Sequence, residues 1–95
     1  MKPEASGPVL HWEIASTTQA VEKLSRELME LVRQAGYEEE DRFAIHLAIE
    51  EALVNAVMHG NAGDPTKKVI VDASITGERV DLTITDQGPG FDPRK

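Results

Sequence analysis

The chain has no cysteine among its 95 residues. This absence excludes disulfide bonds, thiol nucleophiles and thiolate metal sites, and it is typical of proteins from reducing compartments. Basic residues are also few, with 10 Lys and Arg against 17 Asp and Glu, so the formal net charge is −7. A negative charge of this size disfavours a nucleic-acid backbone or an anionic membrane as the main partner. It favours solubility and is compatible with a basic protein partner.

Long apolar runs are missing as well. No stretch is long and apolar enough to span a bilayer, and residues 1–8 lack the apolar core of a secretion signal. That segment is polar and contains Pro and Gly, which predicts a flexible amino terminus. We therefore expect a soluble cytoplasmic protein with no membrane or direct nucleic-acid partner. The length predicts one small domain.

What the sequence does contain is centred on residues 50–60, EEALVNAVMHG. Glu51, Asn55 and His59 recur every four residues, which aligns them in one stripe of a helix. Apolar residues flank this stripe on both sides: Phe43, Leu47, Val54 and Met58 on one, and Ile45, Ile49, Ala52 and Ala56 on the other. Glu51 and Asn55 are therefore expected to point from an apolar arc. An ionised carboxylate there costs on the order of several kcal/mol unless a cation, a ligand or a catalytic water compensates it.

The same projection assigns the solvent-facing side of this helix. Arg42, His46 and Glu50 are expected there, although Leu53 and Val57 also fall on that side. His46 and Glu50 are four residues apart and are expected to form a surface pair.

Alternating apolar and polar residues predict three strands. Residues 10–14 form the first, which lies at a sheet edge or pairs with another subunit. Residues 69–75 and 80–85 alternate in the same way on either side of the short turn 76–78. This pattern predicts an antiparallel hairpin with one face packed on the helices.

Two helices are predicted between the first strand and the hairpin. Ser16 and Gln19 have the spacing of a capping box, and Gly36 stops the first helix. The acidic residues 38–41 begin the second helix, where they complement the positive end of its dipole. Gly60 is expected to end this helix, and polar loop residues follow it.

The last predicted strand runs into residues 86–92, DQGPGFD. Gly88 and Gly90 allow the backbone to turn sharply and a ligand to approach it closely. Taken alone, this stretch is compatible either with an ordinary turn or with a ligand-binding loop.

The two motifs together resemble those of a known superfamily. Residues 51–60, EALVNAVMHG, resemble the N box of the GHKL ATPases, which include DNA gyrase and the histidine kinases and share the Bergerat fold. Residues 86–91, DQGPGF, resemble their first glycine box, and the order of the motifs and the intervening hairpin match too. The E-A-x-x-N-A-x-x-H-G form is most similar to the bacterial anti-sigma factor serine kinases. The resemblance covers residues 10–95.

The resemblance implies an α+β fold and the boundaries of the domain. We expect a two-layer sandwich, with helices packed on one face of a mostly antiparallel mixed sheet, over residues 9–95. Family members continue past the first glycine box into an ATP lid with a second glycine motif. This chain ends at Lys95, so we expect a domain that lacks the lid and the last strands.

The resemblance also implies ATP and Mg²⁺ as cofactors and assigns roles to particular residues. Asn55 would be the Mg²⁺ ligand, since an amide oxygen is a hard ligand suited to that ion. Glu51 would be the general base for a serine hydroxyl or for water. Asp86 would recognise adenine, because an ionised carboxylate only accepts hydrogen bonds and selects the adenine amine over the guanine carbonyl. The remaining nucleotide contacts would come from His59, Gly88 and Gly90.

The function implied is that of a serine-protein kinase that regulates transcription. It would phosphorylate an anti-anti-sigma partner of the STAS type, sequester a sigma factor and form a homodimer. Three alternatives stay open: a GHKL module that binds nucleotide or partner without kinase activity, the catalytic fragment of a sensor histidine kinase, and an α+β domain with no site. For His59, packing at the helix end and a phosphate contact are both compatible with the motif.

Overall fold

The computed structural model describes residues 8–87. In chain order the elements are β1 (Leu10–Ala15), α1 (Thr18–Gln34), α2 (Glu39–Asn55), a π-helical turn (Ala56–Gly60), β2 (Lys68–Ile75) and β3 (Val80–Asp86). Two helices pack against a three-stranded antiparallel sheet, which confirms the predicted α+β class. Of the segment 1–8 predicted to be flexible, all but Pro8 lies outside the described residues.

The sheet has the strand order β1-β2-β3, and both pairings are antiparallel. The predicted hairpin is confirmed, and β1 lies at the sheet edge beside β2. Val71 stands opposite Trp12 of β1 and Ile84 of β3, so these three side chains share one face. Within residues 8–87 the sheet shows no parallel pair, so the mixed character expected of the whole domain is not seen in this part.

The core lies between this face of the sheet and the two helices. Val69 and Val71 of β2 are fully buried against Leu24 and Leu28 of α1 and Leu53 of α2. Full burial of one such side chain contributes roughly 1.5–3 kcal/mol. The middle strand and one stripe of each helix therefore supply most of the hydrophobic stabilisation.

Helix α1 begins one residue later than predicted. Its N-cap is Thr17, whose hydroxyl accepts a hydrogen bond from the Ala20 backbone N–H at 3.1 Å. Ser16, which the capping-box spacing favoured, is buried instead, and its Oγ donates to the carbonyl of Lys67. The prediction for the other end is confirmed, because Gly36 follows the helix with a φ of +97°.

The predicted acidic start of α2 is confirmed, with Glu39, Glu40 and Asp41 in its first turn. His46 and Glu50 also form the predicted surface pair, with 3.2 Å between their side chains. In the described part of the chain, neither this helix nor α1 has the combination of length and apolar character needed to cross a membrane.

The orientation of α2 corrects the prediction for its solvent-facing side. Leu53 and Val57, which fall on the side predicted to face solvent, are buried in the core. The apolar residues on one flank of the Glu51 stripe are 45% to 68% exposed: Phe43, Leu47, Val54 and Met58. Apolar residues occur around the whole circumference of this helix, so periodicity alone does not select the buried side. Packing against both α1 and the sheet selects it.

Candidate functional site

A surface cavity of about 580 Å³ lies where the end of the second helix meets β3. Its lining includes Asn55, His59 and Asp86, so three of the predicted site residues share one cavity. Asp86 stands opposite Val69 in the β-ladder, which puts its side chain on the sheet face that the helices cover. The last residue of β3 therefore lies beside the end of the helix.

Gly60 provides the space for this approach. A Cβ atom at this position would lie 2.9 Å from the Cβ of Asp86 and closer still to its carboxylate. Any side chain at residue 60 would therefore displace Asp86 or the helix end. The sequence pattern identified Gly60 as a helix stop, and the structure adds that its missing side chain lets the acid lie against the backbone.

The helix does not end at Asn55 but continues as the π-helical turn Ala56–Gly60. The backbone N–H of Asn61 donates to the carbonyl of Ala56 at 2.9 Å, which closes a five-residue step. Such single π turns are frequent at functional sites. Here the turn carries His59 and Gly60 to the cavity and ends directly before Asn61.

Asn61 is a residue whose importance the sequence reasoning missed. Its side chain is fully buried, and its Nδ2 donates to Ser16 Oγ at 2.7 Å and to the Lys68 carbonyl at 3.0 Å. Its Oδ1 accepts from the backbone N–H of Gln87 at 2.7 Å. The sequence offered no signal beyond a polar residue directly after the motif, since Asn in a stretch with Gly, Asp and Pro is typical of loops.

Glu51 and Asn55 are both exposed, which corrects the prediction that they project from a buried apolar arc. On one flank of the arc Ile49 is buried, whereas on the other flank Phe43 is exposed to solvent. Asn55 reaches the cavity, and Glu51 lies one turn before it, outside the cavity lining. Because Glu51 is exposed in the described part of the chain, water can solvate its charge and no ligand is needed to compensate it.

An apolar groove of about 540 Å³ adjoins the cavity along the same helix and strand. The two share Ala52 and Ile84, and the groove continues past Ile49 and Leu82. A polar rim that contains a carboxylate thus leads into an apolar surface. This combination is typical of sites for ligands with a flat apolar body and a few polar groups.

The side chains at the cavity determine whether a metal ion could bind there. Within residues 8–87, no three His, Asp or Glu side chains are grouped so that they could hold a metal ion. Mg²⁺ in phosphate sites keeps several waters and takes one or two protein ligands, with phosphate oxygens completing its shell. The exposed amide of Asn55 fits such an ion delivered with a nucleotide. Gly88 and Gly90, the other predicted contacts, lie outside the described residues.

The family assignment follows from comparison with known sequences. The model of the histidine kinase-like ATPase domain matches residues 14–95. The chain belongs to this family. A histidine kinase-like ATPase domain implies ATP binding, and the match includes the helix, the cavity and the segment after β3.

Curated relatives share part of this histidine kinase-like ATPase domain. The chain is 40% identical over 48 residues to an anti-sigma F factor of Clostridium perfringens (strain SM101 / Type A), covering 50% of this chain and 34% of the relative. It is 32% identical over 62 residues to the serine-protein kinase RsbW of Bacillus licheniformis, covering 65% of this chain and 39% of the relative. An anti-sigma F factor of Anoxybacillus flavithermus (strain DSM 21510 / WK1) is 40% identical over 48 residues, which are 50% of this chain and 33% of the relative. The matched region thus spans about a third of the length of these relatives.

Proposed function

We propose that the chain binds ATP in the cavity between the π turn and β3, as the nucleotide site of an anti-sigma-factor-type regulator of transcription in the cytoplasm. The observation that carries the proposal is the position of Asp86. Its carboxylate lies against Gly60 on the rim of a cavity that Asn55 and His59 also line. Family membership and the names of the relatives support the same function.

The rim and the groove together suit a purine base. The Asp86 carboxylate would accept a hydrogen bond from the exocyclic amine of adenine. It would repel the carbonyl oxygen that guanine has at that position, because both groups are acceptors. The apolar groove beyond Ala52 and Ile84 offers a surface for the ring. Gly60 leaves room for the Asp86 carboxylate beside the helix backbone. In the proposed glycine box, Gly88 and Gly90 would let the nucleotide approach the backbone closely.

The helix side of the cavity suits the phosphates. The amide oxygen of Asn55 would ligate the Mg²⁺ that accompanies the nucleotide, and His59 lies one turn later in the same cavity. When bound, the ion would neutralise phosphate charge and orient the triphosphate. Asn55 would thereby hold the phosphate end of the nucleotide.

For phosphoryl transfer we assign the general base to Glu51. It lies one helical turn before Asn55, and its exposure leaves it accessible to the hydroxyl group of a protein substrate. The carboxylate would accept the proton of the attacking serine hydroxyl while the terminal phosphoryl group passes to that oxygen. The bond from the γ-phosphorus to the bridging oxygen would break, and ADP would leave. The substrate would be an anti-anti-sigma protein of the STAS type. The same chain would sequester a sigma factor and act as a homodimer.

Calorimetric titration with Mg-ATP and Mg-GTP tests the nucleotide site. We expect binding with a preference for ATP, and we expect Asp86→Asn to weaken ATP binding and reduce the preference. Asp81→Asn is the matched control, because Asp81 lies on the same strand but on the opposite sheet face. No binding at millimolar nucleotide, or equal effects of the two variants, would contradict the proposed site.

A transfer assay with labelled ATP and a STAS-domain partner tests the kinase activity. We expect Glu51→Ala to retain ATP binding and lose transfer. Glu50→Ala is the matched control, since this adjacent acid pairs with His46 on another side of the helix. Undiminished transfer in Glu51→Ala would remove Glu51 from the role of base.

A second candidate is a nucleotide-binding module that does not transfer phosphate. The observation that favours it is the position of Glu51, which is exposed and outside the cavity lining. ATP binding without any transfer to a STAS-domain partner would support this candidate over the kinase.

A further inference from the structure

We propose that Asn61 is a positioning residue that sets the base specificity of the site by fixing the backbone directly after Asp86. The inference rests on the proposed ATP site for its functional consequence, whereas the positioning itself is a property of the chain without nucleotide. Asn61 does not line the cavity, so its influence acts through Asp86.

The side chain of Asn61 joins three segments that are far apart in the sequence. Through Nδ2 it donates to Ser16, ahead of α1, and to the carbonyl of Lys68, at the start of β2. Through Oδ1 it accepts the N–H of Gln87, at the end of β3. Asn61 has no exposed surface, so its amide group is shielded from competing water.

The bond to Gln87 is the one that bears on the site. Gln87 directly follows Asp86, so an anchor on its N–H fixes the peptide group that joins the two residues. The Gln87 side chain adds a second anchor, since its Oε1 accepts the N–H of Lys68 at 2.6 Å. This contact extends the β2–β3 ladder one residue beyond the Val69–Asp86 pair.

The chemistry requires an amide at position 61. An asparagine side chain supplies two N–H donors and an acceptor oxygen together, and no other side chain of that size does so. A carboxylate in its place would lose both donors and leave the oxygens of Ser16 and Lys68 facing another acceptor. Because Asn61 directly follows Gly60, the anchor of Asp86 and the space for its carboxylate are adjacent in the chain.

The binding test compares Asn61→Ala with Ser16→Ala at a temperature where both variants are folded. Ser16→Ala removes one partner of Nδ2 and leaves the bond from Gln87 N–H intact, so it is the matched control. We expect Asn61→Ala to reduce the ratio of the GTP to the ATP dissociation constant by about three- to tenfold. Ser16→Ala should lower Tm and keep the ratio. A ratio unchanged in Asn61→Ala would overturn the proposal.

A second measurement needs no nucleotide, and its first part needs no variant. Hydrogen exchange of the wild-type chain, followed by NMR, should show a protected Gln87 amide, and free exchange of that amide would overturn the proposal. In Asn61→Ala we expect the protection to be lost and the Asp86 signals to shift. If wild type binds no nucleotide but these changes occur, the positioning holds and the proposed ATP site is wrong.

Discussion

The two helices use their apolar residues in opposite ways. Helix α1 buries one stripe completely, with Leu24 and Leu28 in the core, and carries charged residues on its other side. The second helix buries Ile49 and Leu53, yet it leaves Phe43 and three further large apolar residues exposed. Packing in the core therefore explains the large buried residues of the first helix. The second helix has more apolar surface than the described part of the fold covers.

This difference separates the helix that only stabilises the fold from the helix that carries the proposed site. The stripe of Glu51, Asn55 and His59 lies on the second helix, beside its exposed apolar flank. A helix that is apolar all round is normally covered from several sides. The second helix therefore exposes apolar side chains that the core of the described residues does not explain.

The largest expected effect comes from removing one core leucine from each helix. Leu28→Ala in α1 and Leu53→Ala in α2 should each lower the free energy of unfolding by about 2–5 kcal/mol, because both side chains are fully buried. Urea denaturation measures both values. Similar losses would show that the helices contribute equally to the core. A small loss for Leu53 alone would break the comparison, since it would make the second helix a weakly attached element.

The next effect separates two glycines, one after each helix. Gly60→Ala should weaken ATP binding by at least about tenfold, because the new Cβ would overlap Asp86. Gly36→Ala is the control: nothing lies within 4 Å of its added Cβ, but its φ is +97°. Gly36→Ala should lower the free energy of unfolding by about 1 kcal/mol and leave the ATP affinity unchanged. Titration and urea denaturation of both variants measure these effects, and equal affinities would show that the close approach is unimportant.

A small effect is expected from the exposed flank of the second helix. Leu47→Gln should change the free energy of unfolding by less than about 0.5 kcal/mol, since Leu47 is 55% exposed. Ile49→Gln, two residues later and buried, is the control and should destabilise strongly. A large loss in Leu47→Gln that depends on protein concentration would indicate that a second copy of the chain covers this flank.

The smallest effect concerns the charged side of α1. A hydrogen bond from Arg33 holds the pKa of Glu30 below its usual range, with a second bond from Gln34. Arg33→Gln should raise this pKa, which an NMR titration of the carboxyl measures, with Arg26→Gln as control. A carboxyl group whose pKa is lowered by folding stabilises the folded state at pH values above its unfolded-state pKa. That stabilisation is lost as the pH falls through the folded-state pKa. Because the pair is exposed, we expect no measurable change in Tm near neutral pH. A clearly lower Tm of Arg33→Gln at neutral pH would contradict this expectation.

Much of the fold could be predicted from the sequence because local patterns decide it. Alternation over residues 69–75 and 80–85 identified the hairpin, and Gly36 marked the end of α1. The placement of Asn55, His59 and Asp86 around one cavity agrees with the motif resemblance. These features depend on neighbours in the chain or on the order of two motifs.

What could not be predicted depends on residues distant in the chain. The buried side of α2 is selected by α1 and the sheet, which the apolar pattern of the helix does not reveal. Ser16 is kept from capping α1 by its partners Lys67 and Asn61. Asn61 itself binds partners 45 and 26 residues away, so nothing in its local sequence distinguishes it from an ordinary loop residue.

The π-helical turn sets how many residues lie between the motif and Asn61. Its five-residue step holds one residue more than an ordinary helical turn needs. Losing one residue from Ala56–Gly60 would let an ordinary turn close that step, so the chain beyond it would keep its direction. Gaining one residue would rotate all that follows by about 100° and take the buried amide out of register with its three partners. The segment should therefore tolerate a one-residue deletion far better than an insertion.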